Sequence, residues 1–186
     1  MHAMGYPRHD GKRITMTTLT SSTMLSPVGE LTLVGSDAGL RAVLWPVERE
    51  GRVTFAEDTE PGEHPILAAA RQQIDEYLSG DRSTFNIPLD LVGTDFQIDV
   101  WQALAEIPHG ETRSYGELAD TLGKPGAARA VGAATGRNPV SIVIPCHRLV
   151  GSSGKLTGFA GGIDAKRWLL EHESAAEQLA LETDGV

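Results

Sequence analysis

Apolar and polar positions alternate in short runs from Thr20 onward, and the period changes twice along the chain. Residues 20–25, 30–35 and 40–45 read as strands separated by the turn signals Ser26-Pro27-Val28-Gly29 and Asp37-Ala38-Gly39, which predicts a small antiparallel meander. Residues 46–63 read as a charged loop. Helical spacing follows over 65–79, with Ile66, Leu67, Ala70, Ile74, Tyr77 and Leu78 on one face and Gly80 as the stop. Residues 85–91 are extended, but Pro88 limits them to an edge strand. Residues 1–16 are polar and aperiodic, with Met1, Met4 and Met16 as alternative starts, and are expected to be a disordered extension.

At Gly93 and Thr94 the pattern turns helical, so the chain divides into a scaffold unit over 17–92, a working unit over 93–178 and a tail over 179–186. Thr94 and Gln97 form a capping box opening a helix over 95–106, with Phe96, Val100, Trp101 and Leu104 on one side and Trp101 read as core. Residues 107–113 make a turn. Ser114 and Glu117 form a second capping box, whose helix stops at Gly123. A corner of Lys124, Pro125 and Gly126 then leads into a helix over 127–135, the arrangement of a helix-turn-helix. This second helix is almost bare: Ala127, Ala128, Ala130, Gly132, Ala133 and Ala134 leave only Arg129 and Val131 projecting before Gly136. A major-groove reader needs polar side chains. Small residues instead let a backbone enter a narrow minor groove, with Arg129 free to enter the base stack; the alternative is a packed Ala-rich helix with Arg129 in a salt bridge.

Composition narrows the partners. The chain of 186 residues is 40% hydrophobic, enough for one good core or two small ones, and its net charge of −9 argues against a uniformly basic coat. Yet residues 113–167 carry eight basic side chains against three acidic ones, a local face suited to a polyanion. No apolar run approaches the ~18 residues of a membrane span, no signal-peptide core is present, and a single cysteine fits a reducing compartment. The expectation is a soluble, cytoplasmic protein.

That cysteine sits in the stretch 138–148. Residues 141–144 are mostly β-branched and read as a buried strand ended by Pro145, with Cys146 where the strand stops. His147 and Arg148 are expected to favour the thiolate. Read alone, Cys146 can equally be a small buried hydrophobe, and Asn138 can be a helix C-cap or a tie between the helix-turn-helix and the cysteine turn.

Taken together, Ser114-Tyr115, Ala128-Arg129-Ala130-Val131-Gly132, Asn138-Pro139, Ile144-Pro145-Cys146-His147-Arg148, Gly158, Gly161-Gly162, Trp168-Leu169-Leu170 and Glu173 resemble the O6-alkylguanine-DNA alkyltransferases, closely over 93–173 and loosely before that. The resemblance implies an α+β fold: a small N-terminal antiparallel-sheet, ribonuclease H-like domain followed by a winged helix-turn-helix catalytic domain. It implies irreversible, single-turnover transfer of an alkyl group from flipped-out O6-alkylguanine to Cys146, with O4-alkylthymine a second candidate substrate. His147 would be the base through a bridging water, and Glu173, on a helix over 164–176, would orient it. Asn138 would tie the cysteine turn, and Tyr115 would press on the flanking phosphate and bond the purine. Arg129 would fill the vacated stack. Ala127, Ala128, Ala130 and Gly132 would lie against DNA, with Ser152, Lys124 and Gln97 as phosphate contacts.

Residues 154–162 would close the base pocket. Phe159 would be its wall, Ala160 N–H the donor to the guanine oxygen, and the carbonyls of Cys146 and Leu149 acceptors for the amine. Thr135 and Lys166 would complete it. Phe159 and Ala160 lack the hydroxyls that some relatives carry at these positions. The resemblance implies no cofactor, and no zinc site, since the N-terminal half has no cysteine. The partner would be alkylated double-stranded DNA, bound through its minor groove by a monomer, with clustering along DNA an open alternative. Three rival readings remain at this point: a non-catalytic sensor of alkylated DNA, a plain winged-helix regulator, and a thiol hydrolase, for which no oxyanion hole is evident.

Overall fold

The computed structural model describes residues 18–48, 51–53, 55 and 59–183, with the side chains of 177–183 left undescribed. The expected extension over 1–16 and the final residues 184–186 lie outside the described residues. Strands β1 (Leu19–Ser26), β2 (Gly29–Ser36) and β3 (Gly39–Leu44) form the antiparallel meander. A fourth strand, β4 (Thr59–Pro61), adds parallel to β1 in the order β3-β2-β1-β4. The stretch read as a plain charged loop therefore ends in an edge strand. Helix α1 (Pro65–Leu78) starts at Pro65, where a missing N–H costs nothing, and His64 accepts from the Ile66 N–H. Its Leu67, Ala70, Ile74 and Tyr77 bury against the sheet.

The second half opens with α2 (Asp95–Ala105), capped reciprocally by Thr94 and Gln97, and α3 (Tyr115–Thr121), capped by Ser114 and Glu117. Both boxes satisfy amide donors that a helix start otherwise leaves orphaned. Trp101 is 2% exposed and gives its indole N–H to the Ala134 carbonyl at 2.9 Å, locking α2 against α4 (Ala128–Thr135). Two short parallel strands, β5 (Arg113–Ser114) and β6 (Leu149–Val150), pair beside the helix-turn-helix. Helix α5 (Gly162–Thr183) runs through most of the stretch read as a tail. One cluster of buried residues spans both halves, from Leu31 and Tyr77 to Leu104, Ile144 and Leu169. No helix among the described residues is long and apolar enough to cross a membrane.

Two other expectations are corrected. Residues 85–91 form no strand; Leu89 makes an isolated bridge to Leu40, through Leu40 N–H on the Pro88 carbonyl at 2.8 Å. Residues 141–144 are a tight turn rather than a strand, closed by Ile144 N–H on the Val140 carbonyl at 2.9 Å. Ile142 takes φ 77°, a left-handed conformation costly for a β-branched residue. Burial outweighs that strain: Ile142 and Ile144 are 0% and 1% exposed, and a buried Ile is worth about 1.5–3 kcal/mol against about 1–3 for the backbone. Asn138 secures both ends, accepting from Val140 N–H at 3.0 Å and donating to the Ile144 carbonyl at 2.9 Å.

The halves also meet at Gly161, where a Cβ would fall 2.4 Å from the Trp45 ring. Gly161→Ala should therefore displace Trp45 and destabilise the protein by about 1–3 kcal/mol. Denaturant unfolding measures this, and an unchanged midpoint would mean that the contact is slack.

Candidate active site

Pro145 has no N–H to give, and the chain after it coils into one 3-10 turn, Cys146–Arg148. Its three residues point about 120° apart, unlike the two-faced alternation of a strand. One short segment thus aims Cys146 at a cavity and His147 and Arg148 at the interior. The cavity holds about 520 Å³ and is lined by Cys146, Tyr115, Ala128, Arg129, Gly132, Thr135, Asn138, Ser141, Phe159 and Ala160, together with Arg52 from the N-terminal half. Arg129 is exposed at its edge, Tyr115 meets Thr157 at 2.9 Å through its hydroxyl, and Thr135 Oγ1 is buried with no partner among the described residues.

Behind the cysteine, His147 and Glu173 are both fully buried, with Nε2 2.9 Å from Oε1. A carboxylate only accepts, so Nε2 carries the proton and Nδ1 the lone pair. Nδ1 is buried with no partner among the described residues. Burial pushes the imidazole pKa down, and Glu173 pulls it up. Glu173 also accepts from Tyr77 Oη at 2.7 Å, from Arg148 Nη2 at 2.8 Å and Nε at 3.0 Å, and from Gly110 N–H at 3.0 Å. Burial alone would raise its pKa, but the hydrogen bonds and charges of His147 and Arg148 outweigh that and hold it well below the usual carboxylate range.

The sulfur is arranged differently from the expectation. Burial pushes the Cys146 thiol up, against hydrogen bonds from Asn138 and Ser141 and the charges of Arg52 and Lys166. Desolvation thus penalises the anion, and the Arg148 guanidinium, expected to help favour it, turns away onto Glu173 and the Ile107 carbonyl. Leu149 is fully buried and its carbonyl accepts from Lys166 Nζ, while the Cys146 carbonyl accepts from Leu149 N–H. Both expected amine acceptors thus already hold a donor, and neither Leu149 nor Lys166 lines the cavity.

Among the expected DNA contacts, Lys124 and Ser152 are exposed, with the Lys124 ammonium 5.9 Å from the Phe96 ring centre. Gln97 lies away from the cavity, its Oε1 committed to the Thr94 N–H at 2.9 Å.

Three residues from the half read as scaffold were missed. Tyr77 buries its hydroxyl on Glu173, Trp45 packs edge-on to Phe159 at 5.3 Å, and Arg52 lines the cavity. Tyr77 carried a faint signal, a polar-tipped aromatic in the buried face of α1, where such hydroxyls need a partner. Arg52 carried none.

Residues 19–91 match the family model described as 6-O-methylguanine DNA methyltransferase, ribonuclease-like domain, and residues 95–175 match its DNA binding domain. A methylated-DNA--protein-cysteine methyltransferase of Mycobacterium tuberculosis is 50% identical over 155 residues, covering 82% of this chain and 91% of that protein. One from Methanosarcina barkeri is 47% identical over 148 residues, covering 80% and 92%. The crystal structure of Mycobacterium tuberculosis OGT in complex with DNA is similar with a TM-score of 0.76 and 46% identity, covering 86% of this chain and 94% of that one.

Glu173→Gln should lower the unfolding free energy near pH 7 by about 3–5 kcal/mol, since Arg148 would stay buried without its counter-charge. A carboxyl with a lower pKa in the folded state contributes stability above its ordinary value of 4.5 and loses that contribution as pH falls towards the folded value. Urea unfolding of both proteins near pH 7 and about pH 3.5 should show the gap narrowing in acid; a gap independent of pH would rule out the charge as its source.

Proposed function

The chain belongs to the 6-O-methylguanine DNA methyltransferase family, and from that premise we propose that Cys146 accepts the alkyl group, with His147 as its base and Glu173 as the orienter. The protein repairs DNA by direct reversal, binding DNA and moving the alkyl group of O6-alkylguanine onto a cysteine. One observation carries the assignment: the only cysteine of the chain lines the cavity, next to an imidazole whose protonated nitrogen is set by a buried carboxylate.

The target oxygen lies inside the duplex, so the base leaves the stack first, at a cost of about a few kcal/mol. Helix α4 enters the minor groove, where its bare Ala and Gly surface allows close approach, and Arg129 fills the gap. Tyr115 presses on the flanking phosphate and reaches the purine. In the cavity, Phe159 walls the base and the Ala160 N–H donates to O6. Lys124 and Ser152 hold flanking phosphates.

The thiol proton passes through one water to His147 Nδ1, and Glu173 stabilises the imidazolium. Sulfur attacks the alkyl carbon in line with the C–O6 bond. A C–S bond forms, the C–O bond breaks with its electron pair going to O6, and the guanine takes up one proton from solvent as the imidazolium gives the thiol's proton back to solvent. A thioether is a poor leaving group and the chain has no second thiol, so each molecule acts once.

Duplex DNA carrying radiolabelled O6-methylguanine tests the assignment. Wild-type protein should take up one label per chain, whereas Cys146→Ser should take up none yet still retard the DNA; a labelled serine variant would overturn it. Arg129→Ala should slow repair of duplex roughly 10- to 100-fold, the loss of a few kcal/mol of help with extrusion, while reacting normally with the free alkylated base. Equal slowing on both substrates would remove Arg129 from the flipping step.

A further inference from the structure

Arg52 brings the N-terminal half to the cavity that holds the nucleophile. Arg52 lies between β3 and β4 in a stretch whose composition suggests exposure, yet it is 5% exposed and lines the cavity that holds Cys146. Its guanidinium splits its donors between two sides. Nε and Nη2 meet Glu48, and Nη2 also donates to the Val43 carbonyl at 2.9 Å. Nη1 crosses to the other half, donating to the Asn138 carbonyl at 2.6 Å and to Ser141 Oγ at 3.3 Å. That same Oγ accepts from the Cys146 S–H, with sulfur and oxygen 4.0 Å apart.

A guanidinium only donates. Nη1 and the resting thiol occupy the two Ser141 lone pairs, which leaves the hydroxyl's own proton unspent, and a sulfur that has lost its proton is the acceptor that gains most from it. A cation one group behind the serine acts in the same direction. Bracing alone would need only the carbonyls of Val43 and Asn138; the bond to Ser141 is what couples Arg52 to the reacting atom.

We propose that Arg52 is a positioning residue for Cys146, presenting the Ser141 hydroxyl to the sulfur so that the N-terminal half sets how readily the thiol ionises. This rests on Cys146 being the alkyl acceptor. Among the described residues, the charged and titratable groups around the sulfur are Arg52 from the segment after β3, Lys166 from α5, the adjacent His147, and Tyr115 and Arg129 on the cavity wall, with Glu48 behind Arg52 and Glu173 behind His147. Changes at Arg52 or Ser141 leave Lys166, His147 and Glu173 in place.

The test compares full-length wild type, Arg52→Met, Arg52→Lys, Ser141→Ala and the Arg52→Met/Ser141→Ala double variant. The rate of Cys146 alkylation by iodoacetamide is followed against pH without DNA, alongside methyl transfer from methylated duplex. Arg52→Met should raise the pH midpoint by about one unit. Ser141→Ala should raise it by less, Arg52→Lys should fall between wild type and Arg52→Met, and the double variant should match Arg52→Met because the two groups act in series. Midpoints that coincide with wild type, or shifts that add in the double variant, would overturn the proposal. Should Arg52→Met not fold, Ser141→Ala and Arg52→Lys decide it: raised midpoints in both support the role, and unchanged ones end it. Wild-type protein that takes up no methyl group would sink the acceptor assignment itself, whereas normal transfer with unmoved midpoints defeats only the part played by Arg52.

Discussion

One buried carboxylate holds the arrangement together. Glu173 is fully buried on α5, where an unpaired charge would cost several kcal/mol. It is tolerated because its donors converge from separate parts of the chain: Tyr77 from α1, Gly110 from the turn after α2, and His147 and Arg148 from the 3-10 turn. Each donor that answers the carboxylate is thereby fixed in place. The electrostatic requirement of one side chain becomes the alignment of four segments, and the orientation of the imidazole beside the cysteine is one result.

A second consequence concerns the sulfur. A protein with a single thiol and a reaction that consumes it gains nothing from a permanently ionised cysteine, since the thiolate is the form that other electrophiles attack. Burial pushes the Cys146 thiol up, while Arg52 and Lys166 supply positive charge and Asn138 and Ser141 supply hydrogen bonds on the anion's side of the balance. These groups come from both halves of the chain, and the cysteine turn is itself docked on the N-terminal sheet, with Val43 N–H on the Pro139 carbonyl at 2.9 Å. The N-terminal half is therefore part of the site's electrostatics as well as its support.

The cavity lies between unequal walls. On one side, α4 offers almost no side chains except Arg129; on the other, Phe159 is backed by Trp45 and the fully buried imidazole of His147, 6.3 Å from its ring centre. Gly161 is what lets the loop carrying Phe159 lie directly on Trp45.

Local chemistry was legible in the sequence because its signals act over a few residues. The capping boxes at Thr94/Gln97 and Ser114/Glu117, the stop at Gly123, the poverty of α4 and the core position of Trp101 all follow from spacing, and the lone cysteine marked its own neighbourhood. Tertiary structure decided the rest. The β-branched run at 141–144 became a turn because Asn138 and the burial of Ile142 and Ile144 outweighed local strand preference. Arg52 and Tyr77 reached the site through bonds spanning 86 and 96 residues. No periodicity or cap announces such bonds; they arise only when the two halves close on a common core and buried donors and acceptors must find one another.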